Sequence, residues 1–476
     1  MITFSAAVLA CLLANVWLMI SGSTRSQRWR LAMTAALSIV FVVAYIAAPL
    51  WQIYLLGLSG MLLVFSASMR SLPAKLIQAA ALVLISATGF LSYLFPAYQP
   101  ATPDGKYHVG YVAHYHEMTR PKIQASSRLD ERLIPVKIWF PTEASEGERV
   151  GFDDLLVGLK ARYAHLPIPD WVLNNLSSSV TGATISSSVI DMKLPTIVYN
   201  HGGGSYPEDN RVLLESLASN GYVAFSIGHP LSSSAIRYPN GDLIHADFDA
   251  YGRTSLSYAQ QLELNDQWNR TFTVDSYEEY FDLISDYITA PDPSTKQVSD
   301  WVAETLSVLH DLRSLPVVGA NIDQSRIAFA GYSIGGATAI ELCRVEDICR
   351  AVINLDGLPA GRPGIMETDL GKPFLVISSN KTAGAIDKFT PNQFLAVQNS
   401  GDSYNFLIPE ATHSQFSSDG YYSPAFSIGF GYSTATYYRT QKIMTDLILG
   451  FMDRHVAGKA TQALPDPSAT VSIIHH

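Results

Sequence analysis

The chain has 476 residues, too many for one average domain, and 48% of them are hydrophobic, which is high for a wholly soluble protein. Its charge is unevenly distributed. Residues 1–100 carry five basic side chains and no acidic one, which leaves 27 basic and 42 acidic residues in the rest of the chain. The rest is therefore strongly acidic, and such a surface repels nucleic acid and anionic lipid head groups.

The amino-terminal part contains three uncharged, apolar runs, at residues 1–24, 31–69 and 76–103. A spanning helix needs roughly 20 apolar residues, so 31–69 is long enough for two spans, with a proline turn at 47–52. The short basic loops on either side of 31–69 both favour the cytoplasm, which requires an even number of crossings between them. We therefore predict an all-α transmembrane region of four helices at 1–98, with the rest of the chain on the outer side.

Two alternatives compete with this topology. A cleaved signal peptide at 1–22 lacks the usual basic start and is followed by further apolar runs. A buried four-helix soluble core would need amphipathic polar faces, which these runs lack. Beyond the membrane region, the proline-rich stretch at 95–105 predicts a linker at 99–108, followed by a domain at 109–458 and a tail at 459–476.

The domain at 109–458 alternates short apolar strands with longer helical patterns, which is typical of an α/β fold with a mostly parallel sheet and helices on both faces. The predicted strands are 135–140, 195–200, 222–228, 326–331, 350–356, 373–379 and 404–409. The predicted helices are 208–220, 299–315, 334–344 and 437–455. Residues 230–298 do not fit the alternation, and we predict a helical insertion that caps the active site.

A candidate nucleophile stands in "GYSIG", residues 331–335. The sequence matches G-x-S-x-G, follows an apolar strand directly and leads into a helix, which is the context of a nucleophile elbow. Ser333 lies at the tip of the predicted turn. A purely structural Gly-Ser turn is the alternative interpretation.

A serine hydroxyl needs a base to accept its proton and an acid to orient that base. His413, on the loop after the last predicted strand, is the candidate base, and an ordinary loop histidine is its alternative. Asp356 ends a strand and is the favoured acid, because its carboxylate would lie at the same sheet edge as Ser333. Asp387, after the next strand, is the second candidate.

A tetrahedral oxyanion needs two backbone donors. The stretch "HGGG" at 201–204 follows a strand and has the form of an oxyanion loop, so the amides of Gly203 and Ile334 are the candidate donors. A phosphate-binding loop is the alternative, but the stretch lacks the spacing and the Lys-Ser/Thr ending of such loops.

Together, "HGGG", "GYSIGG", "INLDG" and "ATHSQF" resemble the platelet-activating factor acetylhydrolase family of α/β-hydrolases over roughly residues 105–458. The resemblance implies an α/β-hydrolase fold and a calcium-independent serine esterase that needs no cofactor. It also implies Ser333, Asp356 and His413 as the triad. The family often has His where Tyr332 stands, and its familiar members lack four amino-terminal spans.

The remaining candidate residues are less specific. His201, Gly202, Gly204, His229 and Tyr332 are candidate pocket residues, and a structural histidine is an equal alternative for position 229. The pair in "HYH", residues 114–116, lacks a third ligand, so no metal site is predicted. A bridge between the cysteines at 343 and 349 and two free thiols are both open.

We therefore predict a membrane-anchored serine hydrolase that cleaves a lipid or other acyl ester through an acyl-enzyme, on the outer side of the membrane. Two other functions stay open: an acyltransferase that moves an acyl chain to an envelope acceptor, and a non-catalytic membrane sensor or scaffold on a hydrolase fold. The oligomeric state and the acyl length are not specified by the sequence.

Overall fold

The computed structural model describes residues 51–67, 72–96, 98–119, 131–166, 168–247, 293–361, 368–379, 399–459 and 472–474, with isolated residues at 266, 270, 279, 282, 283, 365 and 395. The described residues fall into two compact units. The smaller comprises the described part of Met1–Gln99 together with Ile168–Ser179 and Tyr421–Phe426. The larger comprises the described parts of Pro100–Pro167, Val180–Gly420 and Ser427–His476.

The smaller unit contains two apolar helices, α1 (Gln52–Ala67) and α2 (Leu72–Leu94). By length and composition, α2 is the one helix of the described residues that could cross a membrane. Helix α1 has 16 residues and is shorter than the roughly 20 that a span needs. The spans predicted within 1–24 and the first half of 31–69 lie outside the described residues, so the four-helix region is not confirmed.

The smaller unit also includes two segments that the sequence assigned to the following domain. The Trp51 indole donates to the carbonyl of Val172 at 3.0 Å, and the Asn175 amide donates to Gln52 Oε1 at 2.9 Å. These bonds join residues more than a hundred positions apart, which periodicity along the chain cannot reveal. The smaller unit thus combines the described amino-terminal residues with two short segments from farther along the chain.

The larger unit is built on a sheet of eleven described strands in the order β13-β12-β11-β10-β9-β5-β6-β2-β1-β4-β3, with β7 and β8 as a separate pair. Strands β6, β5, β9, β10, β11 and β12 run parallel. The strands are β1 His108–Thr119, β2 Glu131–Thr142, β3 Arg149–Gly151, β4 Val180–Ile185, β5 Leu194–Asn200, β6 Val223–Ile227, β7 Ala235–Arg237, β8 Leu243–His245, β9 Ile322–Tyr332, β10 Cys349–Leu355, β11 Phe374–Ser379, β12 Ser403–Ile408 and β13 Ser472–Ile474. The mixed α/β prediction agrees with this sheet.

In the described ranges, the helices that follow α2 are α3 Asp153–Arg162, α4 Arg211–Ser219, α5 Pro293–His310, α6 Ile334–Val345, α7 Asp419–Tyr422, α8 Pro424–Gly429 and α9 Thr434–His455. Short 3₁₀ turns occupy Asp170–Leu176, Leu312–Ser314 and His413–Phe416. Helix α5 begins at Pro293, six positions before the predicted 299, because proline at the first helical position costs no backbone hydrogen bond. Most of the predicted insertion at 230–298 lies outside the described residues.

The core lies on both faces of the sheet. Every residue of β5, β6 and β11 is buried, as expected for central strands of a parallel sheet covered on both sides. Apolar side chains of β2, β5, β9 and α5 pack together on one face, and those of α4, β10 and α9 pack on the other. Burial of this area is the main source of the sheet's stability.

The register of the central strands brings three loops to one edge. Asn200 at the end of β5 pairs with Gly331 of β9, and Leu355 at the end of β10 pairs with Tyr332. The residues that follow each strand therefore emerge side by side at the carboxyl edge of the sheet, where ligands of open α/β sheets bind.

Cys343 and Cys349 form a disulfide with a Cα–Cα distance of 5.2 Å, which resolves the alternative that the sequence left open. The bond joins the end of α6 to the start of β10. The helix that follows Ser333 is thereby tied covalently to the strand that precedes Asp356.

Candidate active site

Ser333 lies at a sharp turn between β9 and α6. Its φ of 57° places it in the left-handed region, an unusual and strained conformation for a residue with a side chain. The turn is held by a hydrogen bond from the Ser333 amide to the carbonyl of Leu355 at 2.9 Å. A Cβ at Gly336 would overlap Asn354 Oδ1, so only glycine lets α6 approach β10 this closely.

Asp356 follows β10 directly and also has a positive φ, 54°. Its carboxylate is buried and accepts the Ser379 amide at 2.6 Å and the Ser379 hydroxyl at 2.9 Å. These two donors come from the end of β11, so two neighbouring strand ends fix the carboxylate. The competing candidate, Asp387, lies outside the described residues.

His413 connects the other two side chains. Its Nδ1 lies 2.7 Å from Asp356 Oδ2, and its Nε2 lies 3.0 Å from Ser333 Oγ. The order serine, histidine, carboxylate and both distances match what nucleophilic catalysis by serine requires. The imidazole is 40% exposed, so it can also reach a substrate or a water molecule at the mouth of the site.

The stretch 201–204 lies beside the nucleophile. A Cβ at Gly202 would be 2.8 Å from the Tyr332 ring, and one at Gly203 would be 3.4 Å from Ile334 Cγ2. Ile334 is the first residue of α6, where an amide has no partner within the helix. Ile334 thus follows Ser333 directly, and Gly203 lies against the Ile334 side chain.

Tyr332 contacts the candidate base, His413. Its hydroxyl donates to the main-chain carbonyl of His413 at 3.0 Å, and its ring packs against the imidazole with centroids 4.8 Å apart. Burial raises the pKa of the phenol well above its ordinary value, so the hydroxyl remains a donor. Tyr332 therefore contacts the active site through the histidine loop.

His201 and His229, candidate pocket residues, are fully buried. His201 Nε2 lies 2.8 Å from Ser233 Oγ, and His229 Nδ1 lies 2.8 Å from Glu304 Oε2. The His229 ring is stacked on Trp301 with centroids 3.8 Å apart. For His229 these contacts favour the structural alternative over a place in the pocket wall.

Sequence reasoning missed a buried polar network that contacts the loop after "HGGG". Asp419 accepts hydrogen bonds from the hydroxyls of Tyr163 (2.6 Å) and Tyr206, and pairs with Arg162 at 3.4 Å. Arg162 also donates to Ser205, in the loop that contains Gly203. Charged residues in loops look like surface residues in a sequence, and "SYPEDN" directly after "HGGG" was the available signal.

No group of histidine, cysteine, aspartate and glutamate that could hold a metal ion is found in the described part of the chain. His116 of the "HYH" pair lies 2.8 Å from Ser307 Oγ, which gives the ring a structural partner.

Comparison with known proteins adds an independent line of evidence. The family model for platelet-activating factor acetylhydrolase, isoform II, matches residues 171–457, more than half of the chain. A platelet-activating factor acetylhydrolase of Cavia porcellus is 24% identical over 197 residues, which cover 41% of this chain and 42% of the relative. One of Canis lupus familiaris is 25% identical over 191 residues, 40% of each chain. The chain thus spans about two fifths of the length of these relatives.

A solved structure supports the fold. The ferulic acid esterase of Streptomyces cinnamoneus superposes with a TM-score of 0.59 at 19% identity, covering 79% of this chain and 99% of the esterase. At this identity the likeness concerns the fold alone, and it shows that the sheet and helices are arranged as in a hydrolase.

Proposed function

The chain belongs to the platelet-activating factor acetylhydrolase isoform II family, and on that premise we propose that it is a serine hydrolase of carboxylic esters. The observation that carries the proposal is the continuous hydrogen-bonded series from Ser333 through His413 to Asp356, with distances of 3.0 and 2.7 Å. The family supplies the class of reaction, and these distances support our assignment of its steps to the three residues.

In the first half of the reaction His413 Nε2 takes the proton of Ser333 Oγ, and the oxygen attacks the ester carbonyl. Asp356 accepts a hydrogen bond from His413 Nδ1–H, which keeps the correct tautomer and stabilises the imidazolium. The amides of Gly203 and Ile334 stabilise the developing oxyanion. Collapse of the tetrahedral intermediate expels the alcohol, which takes the proton back from His413, and leaves an acyl-enzyme.

In the second half, water replaces the alcohol. His413 takes a proton from the water as it attacks the acyl carbon, and returns that proton to Ser333 when the acid leaves. The His413 side chain is 40% exposed, which supports an approach of water to the imidazole. A transferase would instead admit a second alcohol at this step, so product analysis with and without an alcohol acceptor separates the two functions.

Labelling with a fluorophosphonate probe tests the assignment. We expect the full-length chain in detergent to be labelled, and Ser333→Ala to be labelled not at all. Ser325→Ala is the matched control, because Ser325 is exposed and lies on the same strand, β9, away from the site. Equal labelling of the wild type and Ser333→Ala would refute the nucleophile, and an unlabelled wild type would favour a non-catalytic scaffold.

We also propose that the enzyme is anchored in a membrane, with its catalytic unit on the outer side. Helix α2 supports the anchor by its length of 23 residues and its apolar composition. The Cys343–Cys349 disulfide supports a location of the catalytic unit on the outer side of the membrane, because such bonds persist in oxidising compartments and are rare in the cytosol. Alkylation of thiols in intact cells tests this: a bridge that is found reduced would place the domain in the cytoplasm.

A further inference from the structure

Most main-chain amides of the loop 202–205 donate hydrogen bonds to acceptors within the protein. Gly202 N–H donates to Asp209 Oδ2 at 3.2 Å, Gly204 N–H donates to the Ser232 carbonyl at 3.2 Å, and Ser205 N–H donates to the Gly202 carbonyl at 3.0 Å. Within the described residues no hydrogen bond uses the Gly203 amide. The amides around Gly203 are therefore fixed by protein acceptors, which leaves that of Gly203 available for an oxyanion.

Asp209 is connected to this loop and to the histidine loop at the same time. Its side chain is fully buried and accepts the Gly202 amide through Oδ2 and the Tyr199 hydroxyl through Oδ1, the latter at 3.0 Å. Its main-chain carbonyl accepts the amide of Ser418 at 2.6 Å, five positions after His413. One residue thus ties the oxyanion donor and the catalytic base to each other.

Electrostatics make this contact sensitive to pH. Burial raises the pKa of Asp209 to about 7, although Arg162 and hydrogen bonds from Ser205 and Gly202 act in the opposite direction. Asp419 and the phenols of Tyr199 and Tyr332 also face it, and Asp419 disfavours its charge. Both forms of the carboxyl group are therefore populated near neutral pH.

We propose that Asp209 is a positioning residue, whose ionised carboxylate holds the Gly202 amide and thereby aims the Gly203 amide at the reacting carbonyl. This inference rests on the proposed esterase function. The carboxylate offers two acceptor oxygens, and protonation converts one of them into a donor that cannot accept either the Gly202 amide or the Tyr199 hydroxyl equally well. The loop then loses the contact that orients Gly203, and stabilisation of the transition state weakens.

Asp209→Asn tests the proposal, because asparagine resembles the protonated acid in shape and charge. Turnover of para-nitrophenyl acetate by the full-length chain is measured from about pH 5 to about pH 9. At the alkaline end we expect kcat of the variant to be lower by about ten- to a hundredfold, with little change in KM, because the lost contact acts in the transition state. At the acid end the kcat values of wild type and variant should converge.

A merely structural role of Asp209 would lower the kcat of Asp209→Asn by the same factor at every pH, so the kcat values of wild type and variant would not converge at the acid end. Glu208→Gln is the matched control, since Glu208 is the adjacent buried carboxyl group but pairs with Lys137 at 3.4 Å instead of the loop. Its kcat relative to wild type should not change with pH. A constant ratio for Asp209→Asn across the pH range would overturn the inference.

If Asp209→Asn does not fold, Tyr199→Phe carries the test. Loss of the hydroxyl removes a donor to the ionised carboxylate, so the pH at which kcat falls should move upward. Asn210, which donates to the Tyr199 hydroxyl, keeps the Phe416 carbonyl as partner at 2.8 Å. An unmoved pH profile contradicts the inference, whereas a wild type without any ester turnover would overturn the proposed function itself.

Discussion

The two halves of the active site are held by different kinds of interaction. Ser333 and Asp356 stand on neighbouring strand ends, in strained turns fixed by main-chain hydrogen bonds and by close packing of glycines. His413 and Gly203 stand on loops fixed by buried side chains, chiefly Asp209, Asp419 and Tyr332. We therefore expect the packing around the first half to respond chiefly to side-chain volume, and the placement of the second half to respond chiefly to the charge of the side chains that hold it.

The largest expected effect concerns the hydrogen bond between His413 and Asp356, which joins the two halves of the site. Asp356→Asn removes the acceptor of the His413 Nδ1 proton and stabilises the wrong tautomer, so we expect kcat to fall by about 10⁴-fold with little change in fold. The measurement is ester turnover together with circular dichroism. Asp347→Asn, an exposed position just before the same strand, should keep full activity, and equal loss in both variants would contradict the assignment.

We call His413 and Gly203 with their loops the loop half of the site. Its dependence on the charge of Asp209 should affect the free energy of unfolding as well as kcat. Because the pKa of Asp209 is raised from 3.8 to about 7 in the folded chain, the folded state holds a proton that the unfolded state has lost between these values. The contribution of Asp209 to the free energy of unfolding is therefore largest below about pH 4, falls as the pH rises to about 7, and then stays constant.

Asparagine does not titrate, so the free energy of unfolding of the wild type relative to Asp209→Asn should decrease over that window by a few kcal/mol, at about 1.4 kcal/mol per pKa unit. Denaturant unfolding in detergent at several pH values measures it. Parallel pH curves for the two proteins would show that Asp209 does not titrate in this range.

We call Ser333 and Asp356 with their strand ends the strand half of the site. A larger side chain at Gly336 should disturb its packing. Gly336→Ala places a Cβ on Asn354 Oδ1, and the helix must move to accommodate it, at a cost of about 1–3 kcal/mol. A lower melting temperature and weaker fluorophosphonate labelling should both follow. Gly429→Ala is the control, because a Cβ there meets no atom within 4 Å. A Gly336→Ala variant as stable as this control would refute the packing argument.

The smallest effect is expected at Tyr332. Tyr332→Phe leaves the His413 carbonyl without its donor, which costs about 0.5–1.5 kcal/mol and should lower kcat roughly three- to tenfold. Tyr115→Phe removes a bond of the same kind and length, 3.0 Å to the Arg237 carbonyl, remote from the triad. Similar kcat values for both variants would show that Tyr332 does not position the base.

The sequence predicted the strand half of the site better than the loop half, and the reason is physical. Central parallel strands are continuous apolar runs, and β5, β6, β9, β10, β11 and β12 each coincide with a predicted strand. The candidate nucleophile and acid lie directly at the ends of such strands, so the G-x-S-x-G motif and the strand ends together predicted their positions. The roles of the three triad residues stay predictions until a variant is measured.

The loop half depends on contacts that no local pattern encodes. Asp209, Asp419 and Arg162 look like solvated residues in a sequence, because burial of a charge is decided by partners far along the chain. Strands β1, β3 and β4 were missed for a related reason: they lie at one end of the sheet, where polar residues interrupt the apolar alternation. The tail likewise supplies β13, which pairs with β12.

The close packing of Gly336 in α6 against Asn354 in β10 limits which residues can replace either of them. The Asn354 side chain donates to the Gly357 carbonyl at 2.8 Å and accepts the Gly357 amide at 3.0 Å, and it fills the space that a side chain at 336 would need. These contacts make the three positions interdependent in this fold: a larger residue at 336 would fit only if the side chain at 354 became smaller, and a smaller one at 354 would release the Gly357 main chain.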